Sequence, residues 1–423
     1  MVSTSMTVTT YEPWHGAVPL GWTLKQLKWA VTFQRGHDLP AEDRQSGLVP
    51  VVAGGGITGW HDVAQAKGPG IVTGRYGTVG QFHLVEQDYW PLNTSLYSID
   101  LHGNHAGFLR YLLESLAPLF HLNAAKSAVP GVDRSDIHTI PVAVPPLSAQ
   151  CAIADYLDRE TARLDALMAA KERVLGLLAE KRRALITRVV TRGLDPSAQL
   201  RDSGIPWLGE IPARWRSVRL RFLIRHIEQG WSPEAENREP GDDEWGVLKL
   251  NAVSHGRFNP SAAKALPTGC EARTDLEIHK GDFLITRSNT PSSVGDVCFV
   301  AETRPRLMLC DLIYRLTLRG DAIDGRFLSY FLTLPEGRGQ IEAAARGTSG
   351  SMVKISQEHI KDWWIPVPPL DEQVAVVTHI GRETYALDEL WAATERTIAL
   401  LKERRAALIA AAVTGQIDVG GYA

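Results

Sequence analysis

Hydrophobic residues recur every seven positions in two long stretches of this chain, and a second, staggered set falls between the members of each row. The first stretch contains Leu157, Leu164, Leu167, Leu178 and Leu185, and the second contains Ile380, Leu387, Leu390, Leu401 and Leu408. This a/d spacing predicts helices over residues 147–192 and 369–414, each about 66 Å long. Helices of this length rarely stand alone in water, so we expect an antiparallel coiled coil with these residues at the helix–helix or partner interface. The alternative is two ordinary core helices of one large domain.

The chain also contains an internal repeat. Residues 144–195 align without a gap with residues 367–418 at an offset of 223, and 26 of the 52 aligned positions are identical. Each copy opens with a Pro-Pro pair, which cannot lie inside a helix, followed by Ser148 or Asp371 as the expected N-cap. Two copies are too few for a solenoid, so the repeat predicts a pseudo-two-fold protein that arose by duplication.

The segments that flank the long helices repeat as well. Their shared opening motif is Pro13-Trp14, Pro19 and Trp22 in the first segment and Pro206-Trp207, Pro212 and Trp215 in the second. Both segments alternate short strand-like runs with Gly, Pro and Asn turns, and each has a short helical pattern, at residues 108–116 and 327–334. The pattern predicts an α+β fold with two similar mixed α/β domains, residues 11–146 and 204–368. Residues 1–10, 193–203 and 415–423 are predicted to form a disordered N-terminus, a linker and a C-terminal tail.

The overall composition excludes several classes of protein. The 423 residues carry a formal net charge of -3, so any surface that binds nucleic acid must be local. The four cysteines form no CxxC pair, which argues against a zinc site or a disulfide framework. No apolar run approaches the length of a membrane span, and no signal-peptide pattern opens the chain. These features predict a cytoplasmic protein without a metal site or a membrane partner.

No sequence motif indicates a catalytic centre. GxxxxGK[ST] is absent, and so is HExxH. Residues 54–59 match GxGxxG literally, but no amphipathic helix follows, so we interpret them as a Gly-rich turn. The repeated Val-Pro-Pro-Leu resembles the Pro-Pro motif of amino-methyltransferases but lacks its polar first residue and its aromatic last residue. We therefore expect no cofactor on this chain.

Two polar loops at matching strand ends are the main candidates for binding. The candidate residues are Arg75, Tyr76 and Thr78 in the first loop and Arg287, Ser288, Asn289 and Thr290 in the second, with Lys249 and Asn251 as part of a further edge that includes His255 and Arg257. Arg can bind guanine through two hydrogen bonds, Asn can bind adenine, and glycines allow a close approach to phosphates. This combination predicts DNA binding. The alternative for each single residue is a solvated hairpin tip.

Taken together, these motifs resemble the specificity (S) subunit of Type I restriction–modification systems. The residues that carry the resemblance are Gly204-Ile205-Pro206-Trp207-Leu208-Gly209-Glu210-Ile211-Pro212 with Trp215, Ile365-Pro366-Val367-Pro368-Pro369-Leu370 with Glu372-Gln373, and Gly281-Asp282-Phe283-Leu284-Ile285-Thr286-Arg287. The likeness covers nearly the whole chain.

The resemblance implies two target-recognition domains separated by two antiparallel spacer helices. Each domain would recognise one half of a bipartite, asymmetric site on double-stranded DNA. The helices would dock two modification subunits, which carry S-adenosylmethionine and the adenine methyltransferase chemistry. Restriction subunits would add ATP- and Mg-dependent translocation and cleavage. The chain itself would be a non-catalytic recognition subunit.

Two other functions compete with this interpretation. One is a coiled-coil adaptor with no role on DNA. The other is a self-contained DNA methyltransferase, which the missing cofactor loop and the missing polar Pro-Pro motif disfavour.

Overall fold

The computed structural model describes residues 18–124, 131–267, 269–345, 353–417 and 419. These fall into two compact units. Unit 1 comprises the residues up to Arg173 together with those from Thr394 onward, and unit 2 comprises Val174–Ala393. The predicted disordered N-terminus, residues 1–10, and the Pro13-Trp14 part of the repeated motif lie outside the described residues.

Domain 1, the described part of the chain before the first long helix, combines small sheets with short helices. Its strands are β1 (Thr23–Gln26), β2 (Thr32–Arg35), β3 (Val49–Ala53), β4 (Gly56–His61), β5 (Gly70–Gly74), β6 (Phe82–Val85), β7 (Trp90–Pro91), β8 (Ser95–Asp100) and β9 (Pro141–Val144), and its helices are α1 (Ala106–Ser115), α2 (Ala117–Ala124) and α3 (Arg134–His138). The central sheet has the order β2-β8-β5-β6, with neighbouring strands antiparallel. A second sheet has the order β4-β3-β7, and β1 pairs with β9.

The first long helix, α4 (Leu147–Arg192), is followed by domain 2. The strands of domain 2 are β10 (Leu200–Asp202), β11 (Glu210–Pro212), β12 (Arg216–Arg219), β13 (Ile224–Gln229), β14 (Gly246–Leu248), β15 (Val253–Ser254), β16 (Arg257–Phe258), β17 (Ala263–Ala265), β18 (Phe283–Thr286), β19 (Ser288–Asn289), β20 (Val297–Phe299), β21 (Leu307–Met308), β22 (Ile313–Leu318), β23 (Val353–Lys354) and β24 (Trp364–Val367). Its helices are α5 (Gly325–Thr333), α6 (Pro335–Ala344) and α7 (Gln357–Lys361), and the second long helix, α8 (Leu370–Val413), comes after them.

The two domains share one topology. In domain 2 the central sheet has the order β13-β22-β18-β20, the second sheet has the order β17-β14-β21, and β12 pairs with β24. Strand for strand this is the order of domain 1, with the β10–β11, β15–β16 and β19–β23 pairs added. The predicted repetition of a mixed α/β domain is therefore confirmed.

The helices that follow the central sheets begin in the same way in both domains. The His105 side chain accepts a hydrogen bond from the Phe108 amide at the start of α1, and the Asp324 side chain accepts one from the Phe327 amide at the start of α5. Both phenylalanines are completely buried. An N-cap followed by an apolar face therefore sets each helix against its sheet, close to the predicted ranges 108–116 and 327–334.

Each long helix is fastened to the domain before it by a buried glutamine. The Gln150 side chain donates to the Pro145 carbonyl (2.8 Å) and accepts from the backbone amide of His105 (2.8 Å), the N-cap of α1. The equivalent partners in unit 2 are Gln373 with the Pro368 carbonyl (2.9 Å) and the Asp324 amide (2.7 Å). One side chain thus holds the Pro-Pro turn, the long helix and the short helix together. This explains the glutamine in both copies of the repeated motif.

The expected N-caps of the long helices are wrong. Helix α4 begins at Leu147 and α8 begins at Leu370, so Ser148 and Asp371 lie inside the first turn. The bonds of the buried glutamine fix the preceding proline turn instead, so neither helix needs a capping hydroxyl or carboxylate at these positions.

Within each unit an ion pair joins the two long helices. In unit 1 the Arg405 guanidinium lies 3.0 Å from the Asp165 carboxylate, and in unit 2 Arg182 pairs with Asp388. Each pair occupies equivalent positions of the repeat, since both members shift by 223. Arg182 lies farther along α4 than Asp165 does, whereas its partner Asp388 lies nearer the start of α8 than Arg405 does. The helices are therefore antiparallel, as predicted.

The buried stripe on the long helices differs in part from the predicted one. Leu157 and Ile380 are completely buried, Leu164, Leu178 and Leu401 are buried, and Leu185, Leu387 and Leu408 are half-buried. However, Leu167 is 44% exposed and Leu390 is 50% exposed, so their assignment to the helix–helix seam is wrong.

The cause of this error is a one-residue shift of the alternate positions. The buried positions between the leucines include Thr161, Thr384 and Ile398, which follow a member of the seven-residue row by four residues. A threonine is tolerated there because its hydroxyl donates to its own helix, as Thr161 does to the Leu157 carbonyl at 2.6 Å. Leu167 and Leu390 instead follow Leu164 and Leu387 by three residues, which places them outside the buried stripe.

The repeated Pro-Trp motif closes the ends of the long helices. Gly193 and Gly415, just beyond α4 and α8, have positive φ values of 75° and 69°. A Cβ on Gly415 would lie 2.5 Å from Pro19, and one on Gly193 would lie 3.3 Å from the Trp215 ring. Glycine is therefore required both by the backbone conformation and by the close approach of the motif. No helix among the described residues is both long and apolar enough to cross a membrane.

Candidate nucleic-acid interface

In both domains an arginine follows the central strand of the main sheet. Arg75 comes directly after β5, and its backbone amide donates to the Thr94 carbonyl at 3.0 Å. Arg287 comes directly after β18, and its amide donates to the Leu312 carbonyl at 2.7 Å. The two loops therefore do lie at matching strand ends, as the sequence predicted.

In domain 1, Arg75 lines an open groove of about 780 Å³. The other lining residues are Gln34, Arg35, Gly36, His37, Asp38, Leu96, Asp133 and Arg134. The Arg75 guanidinium lies 3.7 Å from the Asp133 carboxylate and 5.0 Å from the centre of the exposed Tyr76 ring. Thr78 is half-buried, and a Cβ on Gly54 would lie 2.3 Å from its hydroxyl. Gly54 and Gly55 form the tight turn between β3 and β4, whereas residues 56–59 belong to β4, so the predicted Gly-rich turn covers only the first two of residues 54–59.

The strand end on the other side of this groove was not among the predicted binding sites. Gly36 follows β2, and a Cβ there would lie 2.2 Å from the Leu92 carbonyl oxygen. Gly230 follows β13 in domain 2, where a Cβ would lie 2.3 Å from the Cys310 carbonyl oxygen. The sequence contains a sign of this site, because the segments Gln34-Arg35-Gly36-His37 and Glu228-Gln229-Gly230-Trp231 share a central glycine with polar and aromatic neighbours. A strand that ends on glycine with polar and aromatic neighbours marks a backbone that another segment approaches closely.

In domain 2 the loop over residues 286–296 is closed at its base. The Thr286 amide donates to the Asp296 carbonyl and the Gly295 amide donates to the Thr286 carbonyl, both at 2.9 Å. Asn289 is half-buried and Thr290 is exposed. Ser288 is only 1% exposed because β19 pairs with β23, so the structure contradicts its selection as a surface contact.

Only part of the second candidate edge, which comprises Lys249, Asn251, His255 and Arg257, lies close to this loop. His255 and Gly256, with φ values of 45° and 80°, form the two-residue turn between β15 and β16. The His255 ring nitrogen lies 3.6 Å from the Asp296 carboxylate. Lys249 is half-buried and Asn251 is exposed beside the 3-10 turn over Leu250–Ala252, and no contact of either side chain with the loop is seen in the described residues.

The electrostatics of the two arginines differ. Arg75 is partly neutralised by Asp133, whereas Arg287 has no carboxylate partner within the part of the chain described and faces the Tyr314 ring at 5.9 Å. Near the second loop, burial raises the pKa of Asp296 despite the opposing charges of His255 and Arg338. Arg287 thus offers the freer cation to an anionic or guanine-bearing ligand.

The described residues contain no cluster of His, Cys, Asp and Glu suited to a metal ion. Burial raises the pKa of Cys298, and burial also raises the pKa of Cys310 to about 11. Neither thiol is therefore activated as a nucleophile. The arginines after β5 and β18 can form hydrogen bonds and ion pairs with a ligand.

Several known proteins have sequences related to this chain. Residues 19–175 match the model of the Type I restriction modification DNA specificity domain. Over 182 residues the chain is 34% identical to the Type I restriction enzyme EcoEI specificity subunit of Escherichia coli, covering 43% of this chain and 31% of that protein. Over 331 residues it is 23% identical to the EcoKI specificity subunit of Escherichia coli strain K12, covering 75% and 64%. The chain thus spans between about a third and two thirds of the length of these relatives.

A solved structure shares the whole fold. A chain from a study of complex assembly and conformational transition of the type I R-M system superposes with a TM-score of 0.63 at 18% identity, covering 95% of this chain and 100% of that one. Over the regions compared, the chain is similar to Type I restriction–modification specificity subunits.

Proposed function

We propose that this chain is the DNA sequence-specificity subunit of a Type I restriction–modification complex, and that each domain recognises one half of a bipartite, asymmetric site. The observation that carries the proposal is the repeated placement of Arg75 and Arg287 after the same strand of two domains. The scaffold around them is shared, whereas the loops differ in length and in partners. Loops on a common scaffold are where specificity is expected to vary.

The chain acts by recognition alone in this proposal. S-adenosylmethionine, ATP and Mg belong to partner subunits, and the complex works in the cytoplasm. The exposed Leu167 and Leu390 support docking of two modification subunits, because the repeat places them at equivalent positions of α4 and α8. Restriction subunits join the same assembly.

The proposal is tested by expressing the chain with its modification subunits and mapping methylated adenines across a genome. The complex that contains the unaltered chain should methylate one bipartite sequence. Arg287→Ala should relax the specificity for one half of that sequence, and Arg75→Ala the specificity for the other half. Each variant should lose about 1–3 kcal/mol of binding free energy if the arginine contacts a base edge.

The matched control is Arg319→Ala, which removes an exposed arginine of domain 2 whose side chain has no partner among the described residues. It should leave the methylated sequence unchanged. Methylation without any sequence preference would contradict the proposal, and so would a complex that forms but never binds DNA, as an adaptor would.

A further inference from the structure

Arg338 of helix α6 lies beneath the loop over residues 286–296, with only 15% of its side chain exposed. One guanidinium nitrogen donates to the Asp296 carboxylate at 3.2 Å. A second donates to the Ser292 carbonyl at 3.0 Å and to the Pro291 carbonyl at 3.5 Å. The loop is therefore folded around one cation that is not part of it.

Two further contacts bind the same helix and a neighbouring hairpin to this loop. A Cβ on Gly295 would lie 2.3 Å from the Ile341 side chain of α6, so loop and helix touch closely. Asp296, which is 5% exposed, also faces His255 at the tip of the β15–β16 hairpin. Helix, loop and hairpin thus meet at the Arg338–Asp296 pair.

Domain 1 is built differently at the equivalent place. Its shorter loop is held by Asp133, which pairs with Arg75 itself, and the α2 residue that faces the matching glycine, Gly80, is His121. The arginine under the loop is therefore a feature of domain 2 in the described residues, and it accompanies the longer loop.

We propose that Arg338 is a positioning residue for recognition of the second half-site: it holds the loop so that Arg287, Asn289 and Thr290 face the DNA, and it contacts no base. This inference rests on the proposed function. The guanidinium is suited to the role because its planar fork can serve a carboxylate and two carbonyl groups at once, whereas the ammonium of lysine is a single point charge. Carbonyl groups left without this donor would draw the loop into other conformations.

The test uses the full chain assembled with its modification subunits. The probes are a duplex carrying the site that methylation mapping finds, the same duplex with either half altered, and a random duplex of equal length. Arg338→Met and Arg338→Lys should both reduce discrimination against an altered second half by about tenfold, a typical effect of one lost base contact. Discrimination at the first half and affinity for the random duplex should stay within about twofold, since no phosphate contact is lost.

Two further variants separate a local effect from a folding defect. Asp296→Asn keeps the arginine and the shape of its partner and should give a smaller loss at the second half only. Hydrogen exchange should be faster for amides of residues 286–296 in Arg338→Met and unchanged in α5. Arg319→Met, the matched loss of one positive charge in the same domain, should alter neither measurement.

Other results would overturn the inference. If Arg338→Lys behaves like the unaltered protein while Arg338→Met weakens binding to every duplex, Arg338 contacts phosphate. If both variants keep full discrimination at the second half, the loop does not depend on Arg338. In both cases the unaltered protein still prefers its own site, so the proposed function stands. An unaltered protein without any site preference would instead remove the proposed function.

Discussion

The two domains join their long helices through different chemistry, although they share one fold. In domain 1 the Tyr111 hydroxyl bonds the Asp158 carboxylate (2.6 Å) and the Thr161 hydroxyl (2.9 Å) of α4. Arg110 also pairs with Asp158 at 3.0 Å, and Glu114 pairs with Arg405 of α8. Helix α1 is thus tied to both long helices by a polar network.

In the described residues of domain 2, the equivalent surface does not contain this network. Gly381 stands where the repeat would place Asp158, and Ser329 and Thr333 stand in place of Arg110 and Glu114. Tyr330, the counterpart of Tyr111, has no hydrogen bond from its hydroxyl in the described part of the chain, and burial raises its pKa. The comparison shows that the glutamine clamp and the Arg–Asp pair are common to both units. In the described residues, the polar network from the Arg110, Tyr111 and Glu114 side chains to the long helices is found in unit 1 alone.

The largest effects should come from the apolar contacts that both units share. Leu157→Ala and Ile380→Ala each remove a completely buried side chain and should lower the free energy of unfolding by about 2–5 kcal/mol. Urea unfolding of the full chain, followed by circular dichroism, measures this. Leu167→Ala, on the exposed face, should cost less than about 0.5 kcal/mol. A small loss at only one of the two buried sites would break the symmetry inferred here.

The glutamine clamp should come next in size. Gln150→Leu and Gln373→Leu each leave an N-cap amide and a proline-turn carbonyl without a partner, which should cost about 2–3 kcal/mol in either unit. The same unfolding experiment applies. Ser148→Ala is the control: it should be nearly neutral because Ser148 lies within the helix, whereas a true N-cap would cost about 1 kcal/mol.

The polar network should distinguish the two units. Tyr111→Phe removes two hydrogen bonds and should cost about 1–2 kcal/mol. Tyr330→Phe should cost less than about 0.5 kcal/mol, since no bond is lost. Equal losses in the two variants would show that the network contributes nothing beyond packing.

The smallest expected effect depends on pH. The His138 ring accepts a hydrogen bond from the Phe33 amide at 3.0 Å, and burial, with Arg134 and Lys28 nearby, lowers its pKa below the ordinary 6.5. The unfolded chain therefore binds this proton more readily, so its contribution to stability is present at neutral pH and is lost as the pH falls below about 6.5. Position 361 of domain 2, which matches His138, is a lysine.

The measurement compares unfolding at pH 7.5 and 5.5 for the unaltered chain and for His138→Gln. The unaltered chain should lose more stability than the variant on acidification. An identical loss in both would assign the acid sensitivity to other groups.

Much of the scaffold could be predicted because it is encoded locally. Heptad spacing and the Pro-Pro pairs predicted helices over residues 147–192 and 369–414, and the structure has Leu147–Arg192 and Leu370–Val413. The arginines after equivalent strands were found because the segments around them repeat.

The remainder depends on partners that are distant in sequence. Ser288 looked like a loop residue, but pairing with β23 buries it. Leu167 looked like a seam residue, but its side chain is 44% exposed, because the buried stripe is set by packing between the two helices and not by hydrophobicity along one of them. Arg338 carried no signal, because its role depends on loop carbonyls more than forty positions earlier in the chain.

The composition of unit 1 has a consequence for synthesis of the protein. Its core includes Ile409, Ala412 and Val413, although the rest of that core ends at Leu157. A ribosome adds about 5–20 residues per second, so the 220 residues from Val174 to Ala393 take about 10–40 s to make. During that interval the core of unit 1 lacks Ile409, Ala412 and Val413, whereas unit 2 is translated as one uninterrupted segment. Domain 1 is therefore translated before unit 2, but its core is completed only after unit 2 has been made.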